Sequence, residues 1–198
     1  PLPRPLFWHR KCPDIKKAGI CRLFHVISAD QAARALIWAF RRLLWRAALL
    51  RMFGAKVGKG VVIKPRVRVK FPWKLRIGNH SWVGESAWID NLDEVVIGAH
   101  CCLSQGVYLC TGNHRWDDDA FALETRPIRL EDHCWLGAYG RVAPGVTCRQ
   151  GAVLIMGAVA SADLAPWTVY GGVPAAPRIG ATSTSGEVDQ DLADVGVG

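Results

Sequence analysis

Residues 77–94 read IGNHSWVGESAWIDNLDE, and residues 97–114 read IGAHCCLSQGVYLCTGNH. Laid one over the other they match in kind: Ile77 over Ile97, Gly78 over Gly98, His80 over His100, Val83 over Leu103, Ile89 over Leu109. Inside each stretch an apolar residue returns every sixth place. Working outward, the same step runs through Val57, Ile63 and Val69 before them, and through Leu130, Leu136, Val142, Cys148, Leu154 and Ala160 after. Four places beyond these the residue is usually small or β-branched, as at Val61, Ser81, Ala87, Cys101, Cys134 and Ala152. One place beyond, glycine recurs at 58, 78, 84, 98 and 137. A six-residue period fits neither the 3.6 of a helix nor the 2 of a strand carried through hairpins. It predicts a parallel β-helix in which each hexad supplies one short strand and one corner.

The interruptions fix the number of sides. Hexads come in threes over 57–74, 77–94, 97–114 and 130–147, followed by 148–165. Two extra residues separate the early blocks, Leu75-Arg76 and Val95-Val96. Ile128-Arg129 repeats that insert after a longer excursion over 115–127. Eighteen residues thus make one three-sided coil, about five coils in all, with every insertion at one corner. Insertions gathered on one face of a repeat array mark its working face. The fifth positions Ser81, Cys101, Cys134 and Ala152 should stack inward, with Cys101 and Cys134 about 4.8 Å apart at Cα.

The chain of 198 residues, half of them hydrophobic, suits one core. No apolar run approaches the roughly 18 residues of a membrane span, and no secretory signal is evident. Seven cysteines (12, 21, 101, 102, 110, 134, 148) show no CxxC spacing. They read as buried reduced thiols of a cytoplasmic protein. Four segments follow: a basic leader over 1–56, the repeats over 57–165 with an excursion loop at 115–127, a closing segment over 166–180, and an acidic tail over 181–198 with the composition of disorder.

The formal charge of +8 is unevenly spread: residues 1–56 hold 12 Lys or Arg against Asp14 and Asp30, while the rest holds 13 against 15. The repeat body therefore reads as near neutral. Residues 32–53 predict a basic amphipathic helix, with Leu36, Ile37, Phe40, Leu43 and Leu44 on one face and Arg34, Arg41 and Arg42 nearer the other. Such a helix can cap the open end of the first coil or lie on an anionic membrane surface at the inner face of the membrane, and the two roles are compatible. No aromatic-basic platform or reader motif accompanies the charge, so nucleic acid is set aside as a partner.

Chemistry concentrates at the insertion corner. His114 closes the third coil just before the excursion, and imidazole is the natural base for a hydroxyl proton. Glu94 closes the second coil, so in-register stacking would place its carboxylate beside the imidazole and fix the tautomer. In the excursion, Trp116 and Phe121 offer rings to stack on a sugar, and Asp117 to Asp119 offer carboxylates for its hydroxyls. Three consecutive carboxylates also suit a divalent cation, but alone they are weak evidence for one.

The hexads, the Thr-Gly-Asn-His stretch ending at His114, Val142-Ala-Pro-Gly-Val-Thr147 and Trp167-Thr-Val-Tyr-Gly-Gly-Val-Pro-Ala175 resemble the hexapeptide-repeat acyltransferases. Trp45-Arg-Ala-Ala-Leu-Leu-Arg-Met-Phe-Gly-Ala55 looks like the colanic-acid, exopolysaccharide O-acetyltransferase branch, so the likeness covers roughly 38–178. The resemblance implies an all-β, left-handed β-helix and a homotrimer with active sites between subunits. It implies acetyl-CoA as co-substrate along positions matching Trp135, Ala138, Met156 and Ser161. It also implies His114 as the base for direct attack on the thioester, and acceptor contacts near Asp90, Asn91, Asn113, Trp116 and Asp117. The acceptor would be a sugar or exopolysaccharide precursor, and no metal is implied. This chain departs from the pattern at Ala162 and Ala176, where related enzymes carry basic residues, leaving Arg178 nearest the nucleotide.

Two rival readings come from the same residues. His80, His100 and His133 share one column and could serve zinc, as in the γ-class carbonic anhydrases. Gly60 and Gly151 share the column too, which favours a corner needing positive φ. A non-catalytic β-helix scaffold would require His114 to be incidental.

Overall fold

The hexads build what their period predicts. The computed structural model describes residues 45–179, and every apolar hexad position from Val57 to Ala160 lies in a short strand. The first face stacks Lys56–Val57, Leu75–Ile77, Val95–Ile97, Ile128–Leu130 and Thr147–Cys148 in parallel. The second stacks Val62–Ile63, Trp82–Val83, Cys102–Leu103, Trp135–Leu136, Val153–Leu154 and Val169–Gly171. The third stacks Arg68–Val69, Trp88–Asp90, Tyr108–Cys110, Arg141–Val142 and Val159–Ala160. A partial sixth turn was not expected. Leu164 bridges to Cys148, Val169–Gly171 extends the second face, and Ala176–Ile179 pairs back on it antiparallel.

The core is a set of stacked columns. Leu75, Val83, Leu103, Leu109, Leu136 and Leu154 are completely buried, each contributing about 1.5–3 kcal/mol. Ser81, Cys101, Cys134 and Ala152 all point inward as expected, and the five described cysteines are free thiols. Burial pushes the Cys148 thiol up to about 12. Cys134 is also raised, first by its hydrogen bond with Cys101 and then by burial.

Two corners are made by left-handed residues. Gly60, His80, His100, His133 and Gly151 have φ between 57° and 69° at the first, and Arg66, Ser86, Gly106, Tyr139 and Gly157 between 58° and 72° at the second. The third corner, where the insertions fall, is instead held by buried side chains. Asn91 donates to Phe71 O at 2.6 Å and accepts from Phe71 N at 3.0 Å, and Thr111 Oγ1 donates to Asp90 O at 3.0 Å. The recurring glycines answer to coil spacing: a Cβ on Gly78 would lie 2.5 Å from Ala99 N.

The chain enters through a helix whose described part covers 45–52. Ala47 is buried and Leu50 packs on the core, while Arg51 donates to Val57 O (3.0 Å) and Gly58 O (2.7 Å). This part of the helix caps the first coil. The expectations for residues 1–44, including Arg41 and Arg42, and for 180–198, including the tail, fall outside the described residues. No helix among the described residues is long and apolar enough to cross a membrane.

Candidate active site

The excursion at 115–127 supplies the turn and the second strand of a β-hairpin spanning 112–125. Gly112–His114 pairs antiparallel with Leu123–Thr125, His114 opposite Leu123 and Asn113 opposite Glu124. The hairpin lifts His114 off the coil and leaves it exposed. Its ring stacks on Phe121 at 4.4 Å and 7°, and its Nδ1 lies 2.8 Å from Phe121 O. A carbonyl oxygen has no proton to give, so Nδ1 carries the hydrogen and Nε2 keeps its lone pair. Phe121 holds φ 45°, an uncommon conformation for a bulky residue of the kind retained where function needs it.

Glu94 does not orient the imidazole. Its carboxylate lies 2.6 Å from Arg76 Nε and 3.8 Å from Arg129 Nη2. The ladder above Glu94 is continued by Ile128, whose N–H donates to Glu94 O at 3.0 Å, and not by His114. Asn91 is likewise removed from the acceptor contacts, being fully buried with both amide atoms bonded to Phe71.

Asp90 stays on the third face beneath the hairpin. Tyr108 OH donates to its Oδ2 at 3.3 Å, and Lys70 Nζ lies 3.1 Å from its Oδ1 without hydrogen-bond alignment. Burial, then the bond to Cys110, raises the Tyr108 hydroxyl. Asn113 and Asp117 are exposed on the hairpin, Arg115 lies 3.8 Å from Asp117, and Trp116 is 85% exposed. Sequence reasoning treated Phe121 as a sugar platform; its part in holding His114 depends on a cross-hairpin register that no spacing revealed.

The positions expected to line coenzyme A lie elsewhere on the coil. Trp135, on the second face, donates from Nε1 to Ser104 Oγ at 3.1 Å. Ala138 and Met156 share the following corner, Met156 70% exposed, with open space around Gly157. Ser161 is exposed just beyond the third face's last strand, and the Arg178 guanidinium lies along Gly171–Gly172. The third face separates Ala138 and Met156 from the corner bearing His114, whereas Ser161 follows Ala160 on the His114 side of that face, in register with Ala143 and Cys110 below it.

The histidine column is a turn column. His80, His100 and His133 stack face to face at 5.3 and 5.2 Å, with Trp167 beyond. Ring nitrogens bind metal in the ring plane, so stacked rings do not converge on one ion. No group of three metal-ligating side chains occurs among the described residues.

The chain is 48% identical over 110 residues to the provisionally named colanic acid biosynthesis acetyltransferase WcaF of Escherichia coli K12, 56% of this chain and 60% of that protein. It thus spans about three fifths of the length of that relative. It is 30% identical over 137 residues to nodulation protein L of Rhizobium meliloti, covering 68% of this chain and 74% of that one. Among solved structures, the hexapeptide-repeat acetyltransferase VCA0836 of Vibrio cholerae superposes with TM-score 0.66 at 26% identity, covering 69% of this chain and 80% of that one. The same protein complexed with acetyl coenzyme A superposes with TM-score 0.65, also at 26%, covering 69% and 76%. No family model matches the chain. The coiled hexads and these relatives together make the chain a member of the hexapeptide-repeat acyltransferase family.

Proposed function

We propose that the protein transfers an acetyl group from acetyl-CoA to a hydroxyl of a sugar or exopolysaccharide precursor, with His114 as general base. The observation that carries this reading is the Nδ1–Phe121 O contact, which leaves Nε2 as a lone pair on an exposed ring. His114 takes the hydroxyl proton at Nε2 as the oxygen attacks the thioester carbonyl. It then returns that proton to the departing sulfur, so charge balances over the cycle. Trp135, Ala138, Met156 and Ser161 would line the coenzyme, Arg178 would face a phosphate, and Asp90, Asn113, Trp116 and Asp117 would meet the acceptor.

Because Trp135, Ala138 and Met156 sit across the third face from His114, the site is completed by a second copy, and a homotrimer supplies three such sites. Light scattering at the trimer mass supports this, and a monodisperse active monomer refutes it. The activity test offers radiolabelled acetyl-CoA with a panel of glucosides, galactosides and lipid-linked oligosaccharides. Label should appear as a base-labile ester on one of them; label moving only to amines would refute O-acetylation. Peripheral contact of residues 32–53 with an anionic membrane belongs to this reading too.

A further inference from the structure

The solenoid is charged along its axis. Residues 45–76, the capping helix and the first coil with its insert, hold ten Lys or Arg and no Asp or Glu. Residues 77–179 hold six against eleven. The near-neutral repeat body read from the sequence is therefore a basic end joined to an acidic shaft. The same end exposes large apolar groups: Met52 is 73% exposed, Trp73 62% and Phe53 56%, with Trp45 and Leu49 also open. Trp45, Leu49 and Met52 follow helical spacing on a face other than that of Ala47 and Leu50, which is spent on the core. Trp73 joins them through the insertion corner, its Cβ 3.1 Å from where a Cβ on Gly54 would lie.

We propose that this first-coil end docks on an anionic lipid surface, with Met52, Phe53 and Trp73 entering the headgroup boundary and Lys56 and Lys74 facing lipid phosphates. Second-coil carboxylates pair with Arg66, Lys70 and Arg76, and the aromatics flanked by Lys56 and Lys74 match such a surface in both polarity and charge. Residues 1–44 carry nine Lys or Arg against two Asp, so they share the sign of this end. The proposal deepens the membrane reading of the helix by moving contact onto the first coil; it is independent of acetyl transfer. His114 stands two coils away, about 10 Å at strand spacing. On the trimer proposed above, three such ends face one way, which multiplies weak contacts.

The test is co-sedimentation of the full chain with phosphatidylcholine vesicles, with and without phosphatidylglycerol. Binding should require the anionic lipid and fall at least tenfold in Lys56→Glu/Lys74→Glu and in Phe53→Ser/Trp73→Ser, each checked for folding by circular dichroism. Arg141→Glu/Arg149→Glu, the same charge change on the shaft, should bind as the parent does. Parental binding by both first-coil variants would assign the surface to residues 1–44 and overturn the proposal, as would equal binding to neutral vesicles or none at all. Binding that appears only after removal of residues 181–198 would make that acidic segment the occupant, again overturning it.

Discussion

Replacing Gly78 with Ala tests whether glycine at the second hexad position is set by coil spacing. The added Cβ would lie 2.5 Å from Ala99 N and from Gly98 C, both backbone atoms of the next coil, whereas ordinary contact begins near 3.4 Å. The coils must part locally by roughly 0.9 Å. That opening falls on the bonds Gly78 N–H to Ile97 O (2.7 Å) and His100 N–H to Asn79 O (2.8 Å). Leaving two such groups poorly satisfied costs about 1–3 kcal/mol each, so the expected loss is about 4 kcal/mol. Gly157 is the control: an added Cβ there meets nothing within 4 Å, but φ is 72°. Gly157→Ala should therefore cost only the left-handed penalty, about 1–2 kcal/mol. Urea midpoints at matched slope measure both. A Gly78→Ala loss no larger than that of Gly157→Ala would refute the spacing argument.

Glu94→Gln should leave kcat within about twofold and stability within about 1 kcal/mol, since its exposed pairs with Arg76 and Arg129 are weak and lie off the imidazole; steady-state rates and urea melts check it. Phe121→Ala should lower kcat up to about tenfold, the equivalent of losing a ring stack of about 0.5–1.5 kcal/mol under His114, read from initial rates. The Cys148 thiol rises from 9.0 to about 12 on folding, so above pH 9 the unfolded chain gives up a proton that the folded chain keeps. Stability contributed by this group is full below pH 9 and should fall by about 1.4 kcal/mol per pH unit from there toward pH 12. Cys148→Ala should flatten that slope in urea melts across pH 8–10.

The coil was legible because its signal is redundant: an inward residue every six places, repeated fifteen times, survives any local exception. The left-handed corner of His80, His100 and His133 was legible for the same reason, since Gly60 and Gly151 share it. The second corner was not, because Arg66 and Tyr139 carry no mark of positive φ; there the stacked register overrides residue preference. His114 could be picked out by its place beside the excursion. Its partner could not, because stacking arithmetic assumes an unbroken coil, and the antiparallel pairing of 112–114 with 123–125 takes His114 out of register with Glu94. Asn91 misled for a related reason: a polar residue at the working corner proved to be the corner's internal brace. The axial charge was hidden by dividing the sequence at residue 56, when the basic run continues to Arg76.

The account turns on His114 as the base, and the most direct measurement is turnover of His114→Ala beside its affinity for coenzyme A. Positioned proton transfer contributes about 10²–10⁴ in rate, so kcat on the accepted sugar should fall by that factor. Titration calorimetry should give coenzyme A affinity within about twofold of the parent, because Trp135, Ala138 and Met156 lie across the third face from His114. Full turnover by His114→Ala on the same acceptor would contradict the account.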